Sequence, residues 1–599
     1  MKHLLSLNKY FYNYKWLLIL GFFFVISSNV FSILPPQAIR YAFDLVKDNI
    51  AYHRLYDGFS LQNDFYGVFS QAIMFFGITV LSLAIIRGIL MFFMRQTIIV
   101  MSRHIEYDLR NDIYTHYQQL DTAFYKRNRT GDLMSRVTED VNRVRMYLGP
   151  AIMYSINLTT MIVITLAAML QVNVELTLYV LLPLPLLAIS IYFVNTLTHR
   201  RSEAIQKQLS KLTSTAQEAF SGIRVIKAYS QESAIIDHFA EESNTYKERT
   251  LSMARVQAFF APLMVLLIGL STILTIYIGG KQVIAGSITA GNIAEFVIYV
   301  GMLMWPVTSI GWTASLIQRA DASQKRINEF LHTKPHIVNS PNAQTLPLDG
   351  YLAFDNVSFT YPDTGIQALK NISFTLKAGE RLAIVGRTGA GKSSIAELLA
   401  RKYEPESGQI LFNNNLVPIQ KIDLASLRSQ IGYVPQDVFL FSDTIANNIA
   451  FGDPQCAPQL IEEAAKGAAI YQDIMHLPQQ FETVVGERGV TLSGGQKQRV
   501  SLARALIKKP QMLLLDDCLS AVDATTERHI LEYLNRYLAH RTAIIITHRI
   551  FSLIEFDKII VIDNGCIAEQ GKHHELLAMN GIYAKLYEKQ NSEAAAMAD

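Results

Sequence analysis

The sequence has 599 residues, 50% of them hydrophobic and only 18% charged. That low charge and a positive mean hydropathy exclude a disordered chain and a wholly soluble assembly of this size. A net charge of +3, from 54 basic against 51 acidic residues, is too small for a nucleic-acid binder, and Cys456, Cys518 and Cys566 lack the spacing of a disulfide framework or zinc site.

The apolar residues crowd into the first 330 positions. Six stretches hold no Asp, Glu, Lys or Arg: Trp16–Ile39, Phe65–Ile86, Met146–Val174, Leu176–Thr198, Val256–Gly280 and Phe296–Gln318. A hydrocarbon core takes about 20 helical residues at about 1.5 Å each, and every stretch is long enough. The first follows Lys2, Lys9 and Lys15, as a secretory signal would. It is too long for a signal's apolar region and no small-residue cleavage site follows, so it reads as an uncleaved span. Pro35–Pro36 is expected to kink or end that helix.

Lys and Arg number three in residues 1–15, nine in 95–145 and nine in 199–255, while the alternating loops are poor in them. The positive-inside rule therefore places both termini and the two long loops in the cytoplasm, at the cytoplasmic (inner) membrane. Those loops are rich in helix formers. Their middles, Leu120–Asp132 and Glu218–Glu232, read as turning elements of two helical hairpins, each arm reaching roughly 37 Å beyond the membrane. Two such hairpins suggest levers against another domain.

Residues 332–350 carry three prolines and no periodicity, which marks a linker between a membrane domain at 1–331 and a second domain at 351–599. Beyond the linker, short apolar runs such as Leu382–Val385, Met512–Leu515 and Ala543–Ile546 alternate with helical stretches, the pattern of an α/β domain with a largely parallel sheet. The expected fold is an α-helical six-span bundle with long cytoplasmic extensions, followed by an α/β domain whose class, a P-loop ATPase, rests on the motifs taken next.

The chemistry lies in that second domain. Gly386-Arg387-Thr388-Gly389-Ala390-Gly391-Lys392-Ser393 fits G-x-x-x-x-G-K-[ST] between an apolar run and a helical one. Its glycines let backbone N–H groups wrap phosphates, Lys392 neutralises the β/γ-phosphates, and the Ser393 hydroxyl suits Mg²⁺; Ser394 follows inside the same pocket. Met512–Leu515 reads as a buried strand delivering Asp516 beside the nucleotide as a Mg²⁺ ligand, with Asp517 next, where a base orients the attacking water. A third element, Leu492-Ser493-Gly494-Gly495-Gln496, opens a helix whose N-terminus suits another phosphate.

With that run the chain resembles the ABC exporter half-transporters over nearly its whole length. The resemblance implies two chains, ATP and Mg²⁺, with each ATP held between one chain's phosphate loop and the other's Ser493–Gln496 signature. It further implies that Tyr361 stacks on adenine, that Gln436 links Mg²⁺ and water to the membrane hairpins, and that Gly486–Gly489 touches them. It assigns Asp523 to the loop joining the two ATP sites and His548 to the γ-phosphate. Asp517 departs from the pattern. Hydrolytic members carry Glu there, and the missing methylene shortens the reach by roughly 1.5 Å, where a misplacement of about 1 Å costs on the order of 100-fold in rate. Two options follow: a slower but competent site, or the weaker subunit of a heterodimer. The intact signature slightly favours the heterodimer.

In the spans, Arg87, Asn157, Trp305 and Trp312 are candidate substrate contacts, with Asn29, Pro306 and Gln318 behind them; for Arg87 the sequence leaves open whether it lines a cavity or snorkels to the cytoplasmic headgroups, and Arg95 reads as snorkelling. Few span charges favour an amphipathic or apolar cargo: a small molecule, a lipid or a peptide. Coupled processing of a leader peptide is not expected, since no protease domain precedes the first span. The reading is ATP-driven export by alternating access. Its alternative is a weakly hydrolytic, mainly ATP-binding regulatory subunit, and an ATP-gated channel stands further off because nothing marks a persistent pore.

Overall fold

The computed structural model describes residues 2–598 except 56, 57, 60, 487, 488, 490, 491, 540 and 549–555, and the backbone alone at 51, 53, 55, 61–63, 65, 184, 188, 195 and 593–598. The chain forms two compact units, one of Met1–His116 and Gly131–Thr333, the other of Tyr117–Thr130 and Lys334–Asp599.

The first unit is helical. Among the described residues six helices are long and apolar enough to cross a membrane. They are α1 (Lys15–Leu55), α2 (Leu61–Gln119), α4 (Thr130–Val172), α5 (Val174–Ser221), α7 (Glu232–Ile284) and α8 (Ala290–Leu331). Each runs well past its uncharged stretch, so the polar continuations extend the same helices beyond the apolar zone. The turning elements are the one-and-a-half-turn helices α6 (Ile223–Ala228), in this unit, and α3 (Thr122–Arg127), which falls in the second. Pro35 and Pro36 do not end α1, which continues to Leu55. A proline in a spanning helix is tolerated where neighbouring helices and Ser side chains satisfy the freed backbone groups.

Charges inside this unit are paired. The fully buried Glu295 receives Arg40 at 3.2 Å and the Tyr299 hydroxyl at 2.8 Å. Buried Asp140 accepts from the Ser323 hydroxyl at 2.8 Å and from the Arg326 guanidinium, which ties α4 to α8. Asn29 is 3% exposed and donates to the Thr160 hydroxyl at 2.5 Å, so it serves helix packing. By contrast, none of the apolar window of α2 is buried.

The second unit holds two sheets. A four-stranded antiparallel sheet has the order β2-β1-β4-β5, from β1 (Leu352–Thr360), β2 (Gln367–Leu376), β4 (Ser407–Phe412) and β5 (Val417–Pro418). The six-stranded sheet has the order β10-β9-β3-β8-β7-β6, from β3 (Arg381–Gly386), β6 (Ile431–Val434), β7 (Met512–Asp516), β8 (Thr542–Ile546), β9 (Lys558–Asp563) and β10 (Cys566–Gly571). All its pairings are parallel except the edge pair β9–β10.

The strands β3, β7 and β8 are buried on both faces, which explains their unbroken apolar runs. Leu382, Ile384, Met512, Leu514, Ile544 and Ile546 pack into one core. Their alternates Leu513, Leu515, Ala543 and Ile545 pack into another on the opposite face, as the two-residue strand period requires. This arrangement sets the C-terminal ends of β3, β8 and β7 side by side.

Candidate functional site

The phosphate loop joins β3 to α9 (Lys392–Leu399), the expected strand–loop–helix context. Gly391 takes a φ of +103°, and a Cβ there would lie 2.3 Å from the Ala368 carbonyl oxygen, so only glycine fits the last turn before the helix. Gly386, Arg387, Thr388, Gly389 and Ala390 complete the loop, and Ser394 begins the buried face of α9. Lys392 is buried and folds back, its Nζ donating to the Gly386 and Arg387 carbonyls at 2.9 Å each. Burial pulls this ammonium below the usual lysine range, while the charges of Asp517 and Asp516 oppose that shift.

Asp516 closes β7, two strands from the loop, because β8 lies between β3 and β7. Its Oδ1 accepts from the Ser393 hydroxyl at 3.0 Å. Burial pushes the Asp516 carboxyl up to about 6; the Ser393 hydrogen bond opposes this and the neighbouring Asp517 charge adds to it. A hydroxyl and a carboxylate at this distance form a hard-oxygen donor set that suits Mg²⁺ with phosphate oxygens completing the shell. Asp517 turns off the strand at φ +47°, its N–H donating to the Ile546 carbonyl at 2.8 Å. His548 follows the end of β8 and is half-buried. Burial lowers its basicity first, and the Lys392 charge second. Gln436 lies just past the end of β6 and is exposed.

Tyr361 stands at the end of β1, where its hydroxyl donates to Glu397 Oε2 at 2.7 Å and lies 2.9 Å from the Ser394 hydroxyl. Its ring is edge-on to Phe359 and Tyr403, with centroids at 4.8 and 5.5 Å. From α3, the Lys126 ammonium lies 4.9 Å from the Tyr361 ring centre and 3.7 Å from Glu397. Sequence reasoning missed both Glu397 and Lys126. Glu397 was discoverable, since it lies three residues after Ser394 on α9 and shares its face. Lys126 gave no signal, because the proximity is purely tertiary.

Ser493 caps α10 (Gly494–Leu506): its hydroxyl accepts from the Gln496 N–H at 3.3 Å, and Gln496 Oε1 accepts from the Ser493 N–H at 3.0 Å. Gly494 is exposed beside it. A Cβ on Gly495 would lie 2.6 Å from the Ala521 carbonyl oxygen, so glycine permits this helix to touch the segment after Asp517. Asp473, also missed, accepts from Gln496 at 3.1 Å and Arg499 at 2.8 Å and fixes the helix start. Asp523 caps α11 (Ala524–Tyr537), accepting from the Thr526 N–H at 2.9 Å. Of Gly486–Gly489, Glu487 and Arg488 lie outside the described residues.

In the helical unit, a cavity of about 410 Å³ opens between α1, α2, α4 and α8. It brings together Arg87, Asn157 and Trp305, and Pro306 and Asn29 also line it. Trp312 does not line it but stacks edge-on against Tyr154, which does, at 5.3 Å. Gln318 is exposed elsewhere on α8.

Comparison with known proteins places both units. Residues 18–307 match the ABC transporter transmembrane region and residues 369–520 match the ABC transporter family. The chain is 38% identical to the multidrug resistance-like ATP-binding protein MdlA of Escherichia coli (strain K12), over 86% of this chain and 87% of that protein. It is 35% identical to the ATP-dependent lipid A-core flippase of Syntrophus aciditrophicus (strain SB), over 85% and 83%. The solved structure of a bacterial Atm1-family ABC exporter with ATP bound superposes with a TM-score of 0.74 at 28% identity, covering 96% of this chain and 99% of that one. A multi-pass membrane half fused to an ATP-binding unit, matched on both sides, makes the chain a member of the ABC transporter family, of the exporter half-transporter type.

Proposed function

We propose that the chain is half of a dimeric exporter that moves an amphipathic or apolar substrate, whether small molecule, lipid or peptide, across the cytoplasmic membrane by alternating access. The observation that carries this is the convergence of Lys392, Ser393, Asp516, Asp517 and His548 at one edge of a parallel sheet, in a chain that also has six membrane-length helices. Ligands of such sheets bind at the C-terminal strand ends.

In this reading the backbone of Gly386–Gly391 and the N-terminus of α9 cradle the phosphates, Tyr361 carries the adenine, and Lys392 leaves the loop carbonyls for the β- and γ-oxygens. Ser393 and Asp516, with Gln436 beyond them, would hold Mg²⁺, which neutralises charge on those oxygens. Asp517 accepts a proton from the attacking water as its oxygen bonds the γ-phosphorus and the bond to the bridging oxygen breaks, releasing ADP and phosphate. His548, kept neutral by burial, donates towards the γ-phosphate. Ser493–Gln496 and Asp523 complete the site of the second chain.

The need for a second chain is supported by surfaces left open. Phe220 and Tyr229, flanking α6, are 78% and 74% exposed, and the second unit carries a groove lined by Arg428, Tyr433 and Arg504. In this reading the termini and the ATPase unit lie on the cytoplasmic side, which the Lys and Arg distribution supports. A second reading, a weakly hydrolytic regulatory subunit of a heterodimer, is favoured by Asp517 alone. ATPase activity of the purified chain in lipid distinguishes them. Activity abolished by Asp517→Asn supports a self-sufficient homodimer, and activity only after adding a second half-transporter supports the heterodimer. Failure to hydrolyse ATP in either setting would remove the export reading.

A further inference from the structure

The cavity between α1, α2, α4 and α8 has an unbalanced charge. Arg87 and Arg95, two turns apart on α2, both line it. The Arg87 Nε is buried and has no hydrogen-bond partner, and the structure gives neither guanidinium an acidic partner among the described residues. Arg87 as a whole is half-buried and Arg95 is exposed; a partly desolvated cation without a counter-ion is still costly, and in a spanning helix it marks a binding function more often than a packing one.

The imbalance is written into the sequence. No Asp or Glu occurs in 1–43, 65–105, 141–174, 176–202, 249–294 or 296–320. A second copy of this chain therefore brings no further carboxylate within those stretches. The two acids that interrupt them are engaged: Glu295 with Arg40 and Tyr299, Glu175 with the Gln282 amide at 3.2 Å. Besides the polar Asn29 and Asn157, the wall holds a set of soft apolar side chains, Met91, Met94, Met153, Met161 and Met302. Unbranched thioethers adapt to alkyl chains of varied shape.

We propose that this cavity is a binding site for amphipathic anions, in which Arg87 pairs with a carboxylate or phosphate headgroup and the methionines take the alkyl chain. The proposal rests on the export reading for its physiological sense and names the substrate class of that site. Planar guanidinium donors match such headgroups in a bidentate way, and a charge-assisted bond in a low-dielectric pocket is strong. Arg95 adds to the attraction from two turns away.

The test is equilibrium binding without nucleotide, read from Trp305 fluorescence in the full chain carrying Trp16→Phe and Trp312→Phe, in phosphatidylcholine nanodiscs. The probes are 12-bromododecanoate and its uncharged amide, which share the quenching atom. The acid is expected to half-saturate at about tenfold lower concentration than the amide. Arg87→Gln should remove that difference and Arg87→Lys should keep most of it. Equal affinities in the unsubstituted cavity overturn the proposal without needing any Arg87 variant, and so does a preference that survives Arg87→Gln. Repeating the titration with phosphatidylglycerol identifies the source. Lost acid binding assigns the site to an anionic lipid headgroup, and retained binding assigns it to a free amphiphile; both uphold the charge preference. Because no ATP is present, a failed anion preference leaves the export reading standing, and a failed transport assay leaves the binding result standing.

Discussion

Lengthening residue 517 by one methylene should accelerate ATP hydrolysis. The backbone there is pinned: the Asp517 N–H donates to Ile546 at 2.8 Å and its carbonyl accepts from the Ser520 hydroxyl at 2.9 Å. It therefore cannot advance to recover the reach of roughly 1.5 Å that Asp lacks relative to Glu. A misplacement of about 1 Å costs on the order of 100-fold, so recovering half to all of that 1 Å through Asp517→Glu is expected to raise turnover by about 10- to 100-fold, or about 1.4 to 2.7 kcal/mol of barrier. The gain has an opposing term. Asp517 sits at φ +47°, a left-handed conformation that Asp tolerates better than Glu, so the variant should lose up to about 1 kcal/mol of stability. Steady-state ATPase assays on the full chain in nanodiscs, alone and with a second half-transporter, read the first effect, and thermal unfolding reads the second. A folded Asp517→Glu protein with unchanged or lower turnover in both settings would refute the reasoning that reach limits this site.

Asp516→Asn should separate function from stability. The folded carboxyl has its proton affinity raised to about 6 against an ordinary value near 3.8, so folding favours the protonated form. That contribution is full below about pH 4 and lost as pH rises through 6, hence the neutral Asn should stabilise the nucleotide-free chain by up to about 3 kcal/mol at pH 7 to 8. The gain should vanish near pH 4, while hydrolysis is lost at every pH; a destabilised variant at pH 8 would contradict this. Gly391→Ala places a methyl 2.3 Å from the Ala368 oxygen at φ +103°, and nucleotide binding measured by a fluorescent ATP analogue should fall at least tenfold. Arg40→Met strands the fully buried Glu295 carboxylate and should cost about 3 kcal/mol in denaturant unfolding of the detergent-solubilised chain, whereas Arg40→Met with Glu295→Gln should recover most of it.

The parts of the fold set by local rules were readable in advance. Unbroken apolar runs such as Met512–Leu515 read as buried strands because both faces of β7 are covered, and Gly391-Lys392-Ser393 read as a loop entering a helix because its left-handed turn demands glycine. Length and lack of charge sufficed for the six long helices. Pro35–Pro36 does not end its helix, since proline's local penalty in water does not carry over to a helix packed in apolar surroundings. What linear spacing hides is proximity made by the tertiary fold. Lys126 reaches Glu397 and the Tyr361 ring only because α3 packs within the second unit, with Ala123 in that unit's core. Asp473 is likewise an anonymous acid until it meets Gln496 and Arg499. Arg87 stood out as a charge at the edge of a span, but the sequence left open whether it faces headgroups or a cavity until Met91, Met153 and Trp305 were seen around it.

The central claim is that ATP hydrolysis at the Lys392–Asp516 site drives substrate through the membrane helices. It is tested most directly in inside-out vesicles carrying the protein, with a second half-transporter where turnover needs one, loaded from outside with a fluorescent amphipathic dye. The account predicts dye accumulation that requires ATP and Mg²⁺, stops with ADP, and falls by at least about 100-fold in Lys392→Ala. Accumulation that proceeds without ATP, or that survives Lys392→Ala unchanged, would contradict it.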